Sequence, residues 1–280
     1  MRYENIKNQT AKNFKRLTGI PRPIFTQMVT VLKQEMSNFG RPPKLSREDQ
    51  LRLTLMYWRE YRTQFHIGQT YDLSESTVCG TIPKIENTLM QSGQFTLPSK
   101  KKLQEEETCI EVVLVDATEQ AIERPRKKQK SHYSGKKKCH TQKAQVIVNQ
   151  TTLEIIATAF SKGRKHDFRL FKESYGGMDK EIVCLVDRGY QGLTKIHQNS
   201  ETPVKKSKKR PLSKAQKESN RVLSKKRIVC EHVIGKPVLS VTEVLKIFRI
   251  LKERYRNRRK RFGLRFNLIA SLYNLSLSLS

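Results

Sequence analysis

Three carboxylates in this chain lie in or beside apolar segments, in positions that suit metal-assisted chemistry. Asp116 follows a strand-like run from Glu111 to Val115, and Asp187 follows a second such run from Ile182 to Val186. The third, Glu231, lies in a segment whose pattern predicts a helix. Hard divalent cations prefer carboxylate oxygens, and a pair of such cations promotes phosphoryl transfer. Together the three predict a two-metal site, although any one alone would equally suit a turn or a cap.

The charge of the chain indicates a polyanionic partner. The formal net charge is +30, from 56 Lys and Arg against 26 Asp and Glu, and this excess is far larger than solubility requires. Basic runs extend from Arg124 to Lys138, from Lys205 to Arg210 and from Arg254 to Arg265. One such run suits a solvated face, whereas three favour a DNA-lining surface. The predicted DNA contacts in or near these runs are Lys136, Lys137, Lys138, Arg227, Arg256, Arg258 and Arg259.

Length, cysteine content and hydropathy place the chain in a broad class. A chain of 280 residues with 36% hydrophobic residues can form one large domain or two ordinary ones. Its five cysteines are scattered and odd in number, which favours a reducing cytoplasmic compartment. The sequence shows neither a secretory leader nor an apolar run of the roughly 18 residues that span a membrane. We therefore expect a soluble cytoplasmic protein without a membrane partner.

The N-terminal part has the pattern of a helix-turn-helix. A helix is predicted from about 47 to 60, a shorter one from about 63 to 71, and a third that begins after Ser74 and runs toward Met90. The start of the third helix would enter the major groove of DNA and would carry Ser76, Thr77 and Thr81. A small helical bundle that does not read DNA remains an alternative. Pro83 should kink or split the third helix, because proline lacks the amide donor.

The remaining sequence predicts a mixed α/β domain. We expect an all-α domain at 1–95, a linker at 96–108 and a catalytic domain at 109–280 that ends in a basic helix. Beyond the two runs already named, strands are expected at Thr141–Asn149 and Leu153–Phe160, which form a hairpin. Helices are expected at His166–Ser174, at about 213–234 and from 243 to the C-terminus. Strands followed by helices, with carboxylates at strand ends, are typical of nuclease-like layer architectures.

The order of the motifs resembles that of DDE transposases from bacterial insertion sequences, in the family conventionally numbered five and its Harbinger-like branch. The resemblance covers nearly the whole chain and is specific, because the motifs are long and keep their order. The helix-turn-helix motif of the family corresponds to His66-Ile67-Gly68 and to Ser74 to Cys79. Its three catalytic blocks correspond to Val115 to Glu119, to Asp187 to Gly192, and to Asn220-Arg221 with Arg227-x-x-x-Glu231. Its inserted hairpin and loop correspond to Ser134 to Lys138, His140-Thr141 and Gly163 to Phe168.

The resemblance implies an RNase H-like core that binds two Mg²⁺ or Mn²⁺ ions through Asp116, Asp187 and Glu231. It implies cleavage at the ends of the element and attack of the freed 3′-OH on target DNA. The implied partners are double-stranded DNA, as terminal inverted repeats and target, and further copies of the chain in a nucleoid-associated homo-oligomer. After these three carboxylates, the next candidate site residues are His166 and Asp167. The pair could contact a phosphate or could anchor the loop that carries it.

The residues alone leave two other functions open. A sequence-specific regulator would use the helix-turn-helix without any catalysis, but it would leave the three carboxylate blocks without a role. An RNase H-like endonuclease would cut DNA without strand transfer, and nothing in the carboxylate pattern separates hydrolysis from joining.

Two departures from the family pattern concern the third catalytic block. Ser224 stands where the family has a tyrosine, and Val238 stands where a lysine is expected after Glu231. Removing residues 237–244 brings Lys246 to the expected place, so we infer an eight-residue insertion between the catalytic helix and the basic tail.

The insertion predicts a chain that keeps its carboxylates but binds element ends poorly. Eight further residues would displace the tail by about 12 Å if they were helical, although Pro237 favours a loop. We expect deletion of 237–244 to increase end cleavage, measured against the intact chain. Equal activity of the two chains would contradict this hypothesis.

Overall fold

The chain folds into two compact units. The computed structural model describes residues 2–36, 43–105, 110–174, 176–206, 211–232, 241–257 and 260–279, with side chains for all of these except 227–232, 242 and 243. A helical unit contains residues 1–96, 245–255 and 260–280, and a sheet-containing unit contains residues 97–244 and 256–259. Within the described ranges, no helix is both long and apolar enough to cross a membrane.

In the part of the chain that the structure describes, the helical unit contains six α-helices. Their bounds are α1 Ala11–Thr18, α2 Arg22–Glu35, α3 Arg47–Arg59, α4 Gln64–Tyr71, α5 Glu75–Gln91 and, near the C-terminus, α10 Phe262–Leu277. Helix α3 is buried along most of its length and forms the centre of the unit. Its hydroxyl cap is Ser46, which accepts a hydrogen bond from the amide of Asp49 at 3.1 Å.

Helices α4 and α5 form the predicted helix-turn-helix. Thr63 and Ser74 cap the two helices, each by accepting a hydrogen bond from the amide three residues ahead. The turn is tight, because the amide of Leu73 donates to the carbonyl of Gly68 at 2.9 Å. A Cβ atom on Gly68 would lie only 2.6 Å from the carbonyl oxygen of Leu73, so this close approach requires glycine. The expected split at Pro83 is not observed, since α5 continues through it.

The second unit contains a six-stranded mixed sheet and short helices. The strands are β1 Val112–Ala121, β2 Tyr133–Ser134, β3 Cys139–Asn149, β4 Ile155–Lys162, β5 Val183–Val186 and β6 Ser200–Glu201. The helices are α6 Gln129–His132, α7 Asp167–Ser174, α8 Lys214–His232 and α9 Val241–Leu245. The hairpin β3–β4, the helix α7 and the fourth predicted strand confirm the interpretation of the sequence to within two residues at each end.

The sheet begins with three antiparallel strands and continues with parallel ones. Strand β3 lies between β4 and β1 and pairs antiparallel with both, whereas β1–β5 and β5–β6 pair parallel. Helix α7 provides part of the crossover that parallel pairing of β1 and β5 requires. This mixed α/β order agrees with the RNase H-like core that the resemblance implies.

The core of this unit lies on the face of the sheet that α7 covers. Val113 and Val115 of β1, Val186 of β5 and Phe171 of α7 are buried together with Tyr190. Alternate residues of β1 are buried from Val113 to Val115, as expected for a strand with one core-facing side. This packing fixes the ends of β1 and β5 relative to each other.

The structure differs from the sequence expectation at the end of the first strand and in the segment before it. Strand β1 extends to Ala121, so Asp116 lies within the strand and not just beyond it, because pairing with the long strand β3 overrides the low strand propensity of acidic residues. The predicted linker at 96–108 contains a short 3₁₀ turn, Lys100–Leu103, and Leu103 is 1% exposed in the sheet unit's core.

The C-terminal segment packs differently from the sequence expectation. Residues 245–255 and 260–280 belong to the compact helical unit, whereas the sequence groups them with the catalytic domain at 109–280. The predicted continuous helix from 243 is also interrupted, and α10 begins only at Phe262. Tyr255 is fully buried and its hydroxyl donates to the carbonyl of Lys260 at 2.6 Å. Burial of this side chain closes a turn in the segment that the sequence predicted as a basic helix.

Candidate active site

Pairing of β1 with β5 brings Asp116 and Asp187 to the same level of the sheet. Val115 pairs with Val186 in parallel register, and each aspartate directly follows one of these two valines. Both valines are buried in the core, Asp116 is the next residue of β1, and Asp187 begins the turn after β5. Each aspartate is half-buried. The sequence prediction that the two would be neighbours is therefore met by the register.

Asp187 is held in place by the turn that follows it. Its Oδ1 atom accepts a hydrogen bond from the amide of Gly189 at 2.8 Å and caps the 3₁₀ turn Arg188–Tyr190. A Cβ atom on Gly189 would lie 3.0 Å from Oδ1 of Asp187 and 3.3 Å from Oδ2 of Asp167. The two carboxylates thus face the same small space beside Gly189. Asp167, which the sequence ranked behind the three main carboxylates, belongs to this region.

Tyr190 is a buried tyrosine whose pKa is affected by the charges of Asp116, Asp167 and Asp187. Its ring is fully buried, and its hydroxyl donates to Oε1 of Gln145 at 3.2 Å. Burial raises the pKa of Tyr190 far above its usual value, and the negative charges of Asp167, Asp187 and Asp116 raise that pKa further. Three carboxylates therefore act on one buried phenol. The resulting negative potential at the strand ends suits a bound cation.

A buried lysine connects two further carboxylates near the site. Lys143 of β3 lies directly across from Glu119 of β1, and its ammonium is 3.3 Å from Oε1 of Glu119 and 2.6 Å from Oδ1 of Asp167. The side chain of Lys143 is only 7% exposed. Sequence analysis missed this residue, because a cross-strand pair depends on register and a shift of one residue reverses the face.

Part of this region is a pocket of about 440 Å³, which we call the carboxylate pocket, and Asp116 is not among the residues that line it. Glu119, Asp167 and Asp187 contribute carboxylates to it, and Lys136 and Lys137 contribute ammonium groups from the turn between β2 and β3. Lys137 also donates to the backbone carbonyl of Glu119 at 2.8 Å, which ties this turn to β1. The pocket therefore combines acidic groups with cations able to contact a phosphate.

The third predicted ligand, Glu231, lies near the end of α8, and its side chain is outside the described set, as is that of Arg227. Helix α8 is anchored to the sheet unit, since Gln150 donates to the carbonyl of Lys226 at 3.1 Å and Lys226 forms an ion pair with Glu201 of β6 at 2.9 Å. Among the side chains that the structure describes, no three His, Cys, Asp or Glu groups are arranged to hold a metal ion. Two oxygen donors of the right chemistry are present in Asp116 and Asp187, and completing the site requires a further donor.

The residues predicted to contact DNA lie in three places. Ser76 and Thr77 are exposed and Thr81 is half-buried at the start of α5, where the hydroxyl of Ser74 lies 2.9 and 2.8 Å from those of Ser76 and Thr77. Lys138 is exposed beside the carboxylate pocket, next to the two lysines that line it. Arg256 lies in a turn and not in a helix, whereas Arg258 and Arg259 are outside the described residues.

Comparison with known proteins gives three matches. The family model described as "Transposase DDE domain" matches residues 107–275. The model described as "Helix-turn-helix of DDE superfamily endonuclease" matches residues 43–95. A protein of Microchaete diplosiphon, described as "Probable transposase for insertion sequence element IS702", is 49% identical over 282 residues, which cover 100% of this chain and 99% of that relative.

Proposed function

We propose, because this chain belongs to the DDE transposase family of insertion sequences, that Asp116, Asp187 and Glu231 hold the divalent cations with which it cuts and joins DNA. The observation that supports the proposal is the register of β1 and β5, which pairs Val115 with Val186, the residues directly before Asp116 and Asp187. The family's activity is transposition. The choice of these three residues, the number of ions and their identity as Mg²⁺ or Mn²⁺ are our assignment.

The donor set fits hard cations. Asp116 and Asp187 offer oxygen atoms only, and such ligands favour Mg²⁺ or Mn²⁺ over softer metals. When bound, a pair of these cations would activate the attacking oxygen and stabilise the departing one. The protein supports this site from rigid elements, since the amide of Gly189 orients Asp187 and the strand pairing orients Asp116.

Other residues of the pocket would manage the charge of the DNA. Lys143 offsets one of the two negative charges of Glu119 and Asp167, so that the pocket repels a phosphate less strongly than its carboxylates alone would. Lys136 and Lys137 lie at its edge and can contact phosphate oxygens beside the cut. The chain's own groups thus bind and orient the substrate around the carboxylates.

We assign the recognition of element ends to the helix-turn-helix. The exposed start of α5 presents hydroxyl groups of Ser76, Thr77 and Thr81, which suit contacts in the major groove. Double-stranded DNA is bound both as terminal inverted repeat and as target. Since two ends are joined to one target, a homo-oligomer on paired ends is the assembly that we expect.

The test uses the full chain and a labelled duplex from the DNA that flanks its reading frame. We expect Mg²⁺ or Mn²⁺ to support end cleavage, and a pre-cleaved end with a free 3′-OH to be joined to a plasmid target. A chelator should abolish both products, because the proposed chemistry needs the cations. Cleavage that persists in the chelator would contradict the cation assignment. Cleavage without joined product would identify an endonuclease that does not transfer strands.

A further inference from the structure

A second cavity of the sheet unit, of about 990 Å³, is lined almost wholly by cations. We call it the basic groove. It is formed by Arg126, Lys128 and Lys130 on one side and by Lys162, Arg164 and Arg169 on the other. None of the lining residues is acidic. Such a density of like charge on a folded surface indicates a polyanionic ligand.

Most of the groove's cations have no counter-ion within the protein. Glu173 pairs with Lys165 at the groove's edge and with Arg169, with an Nε to Oε1 distance of 3.0 Å to Arg169. Among the described residues, no carboxylate forms an ion pair with Arg126, Lys128, Lys130, Lys162 or Arg164. All of these except the half-buried Lys162 are exposed. Their charge is therefore available to a ligand.

One side of the groove, which we call the first wall, carries Arg126, Lys128 and Lys130 and is held in place by buried residues of the same segment. Ile122, Pro125 and His132 are buried and anchor the segment that carries Arg126, Lys128 and Lys130. Within it, Arg124 donates to Oε1 of Gln129 at 2.9 Å. The cations are thus positioned before a ligand arrives, which lowers the entropic cost of binding.

The two walls are joined by the backbone at the end of β4. The amide of Arg164 donates to the carbonyl of Ser131 at 3.3 Å, and the amide of Gly163 donates to the carbonyl of Thr141 at 2.9 Å. These bonds fix the residues that follow Lys162 against both the first wall and strand β3. The spacing between the walls is therefore set by main-chain hydrogen bonds.

The basic groove adjoins the carboxylate pocket. Arg164, Lys165 and His166 line both cavities, so a ligand bound in one lies close to the other. One strand of DNA carries a phosphate about every 3.4 Å along the helix axis, which suits a row of cations better than a single small anion would. We infer that the basic groove binds the backbone phosphates next to the scissile bond, on the strand that is cut.

The inference rests on DNA as the substrate of the carboxylate pocket, and its test is a binding measurement that needs no chemistry. The probe is a labelled duplex from the flanking DNA, titrated in chelator at several salt concentrations. Lys128→Gln, Lys130→Gln and Arg164→Gln are combined in one variant. The control carries Lys180→Gln, Lys195→Gln and Lys217→Gln, which remove the same charge from exposed positions elsewhere in the same unit.

We expect the groove variant to lower the slope of log affinity against log salt by about 2 to 3, because each lost phosphate contact lowers it by about 0.9. The control should keep the slope of the unaltered chain. Circular dichroism verifies folding, and a Lys128→Gln, Lys130→Gln double variant, expected to lower the slope by about 2, replaces the triple if that one unfolds. Equal slopes for groove and control variants would overturn the inference.

A second readout locates the contacts. Single phosphates of the cut strand are replaced by neutral methylphosphonates. Replacements within about three nucleotides of the scissile bond should weaken binding of the unaltered chain but not weaken binding of the groove variant further. The inference would also be overturned if the groove substitutions cancelled only the effects of replacements at distant phosphates, or only those of replacements on the other strand. If the unaltered chain shows the expected binding pattern but does not cleave the same duplex in Mg²⁺ or Mn²⁺, the proposed function fails while this inference stands.

Discussion

Replacing Asp187 by asparagine will lower the rate of end cleavage by at least about a thousand-fold, which corresponds to roughly 4 kcal/mol of transition-state stabilisation. Asparagine keeps the shape of the side chain and the oxygen that accepts the Gly189 amide at 2.8 Å. Only the negative charge is removed, and with it the main attraction for a cation. Single-turnover cleavage of a labelled duplex measures the rate, and titration in chelator measures DNA affinity, which should change little.

Asp179 provides a matched control for this substitution. Its Oδ1 atom also accepts a hydrogen bond from an amide two residues ahead, that of Glu181, at 2.8 Å. Asp179 does not line the carboxylate pocket. Asp179→Asn should therefore cleave at the rate of the unaltered chain. Metal-dependent cleavage by Asp187→Asn at a similar rate would remove Asp187 from the site.

The same assay decides which residue completes the site. Glu231→Gln should be as inactive as Asp187→Asn if α8 supplies the third carboxylate. Full activity of Glu231→Gln, combined with loss in Asp167→Asn, would transfer that role to Asp167, whose Oδ2 atom faces the same space as Asp187. Glu119→Gln tests the remaining carboxylate of the pocket, which shares the Lys143 ammonium with Asp167.

The sequence predicted those parts of the fold that depend on local pattern. The caps at Ser46 and Ser74 mark the starts of α3 and α5 correctly, since a hydroxyl before an apolar helical stripe has few other uses. The hairpin β3–β4 follows from two strand-like runs separated by a short polar turn. The neighbouring positions of Asp116 and Asp187 required only that their two strands pair.

Features that depend on distant contacts were beyond local pattern. The pair of Lys143 with Glu119 requires the register of β1 and β3, which no nearby residue determines. Arg265 belongs to a run that reads as phosphate-binding, yet it is 3% exposed. Its partner, Glu86 in α5, lies 179 positions away in the chain. An arginine in a basic segment, such as Arg265, cannot be identified as a core residue until its buried partner Glu86 is known.

Replacing Glu86 by glutamine should lower the free energy of unfolding of the helical unit by about 3 to 5 kcal/mol, the usual cost of leaving a buried charge without its partner. Glu86 is fully buried and accepts hydrogen bonds from Arg265 at 2.6 Å and from Trp58 at 3.0 Å, besides one from Arg261. Glutamine can keep the bond to Trp58. It cannot neutralise Arg265, which stays buried beside it.

Trp58 reports this transition directly. It is the single tryptophan of the chain, it is fully buried, and it belongs to the helical unit. Its fluorescence during urea unfolding gives the midpoint and slope for that unit. Glu4→Gln is the matched control, because Glu4 pairs with Lys7 in the same unit but is 72% exposed. Solvent screens an exposed pair of this kind, so the control should unfold close to the unaltered chain.

A second substitution separates the effect of charge from that of packing. If the loss in Glu86→Gln comes from an uncompensated cation, adding Arg265→Met should recover much of it, because an apolar side chain of similar length needs no counter-charge. Methionine also fills the space beside the rings of Tyr57 and Tyr255, over which the guanidinium now lies at 5.2 and 5.9 Å. A double variant less stable than Glu86→Gln would show that the Arg265 guanidinium stabilises the unit mainly through its contacts with the Tyr57 and Tyr255 rings and through its hydrogen bonds. In that case the ion pair with Glu86 would contribute little to holding α10 against α5.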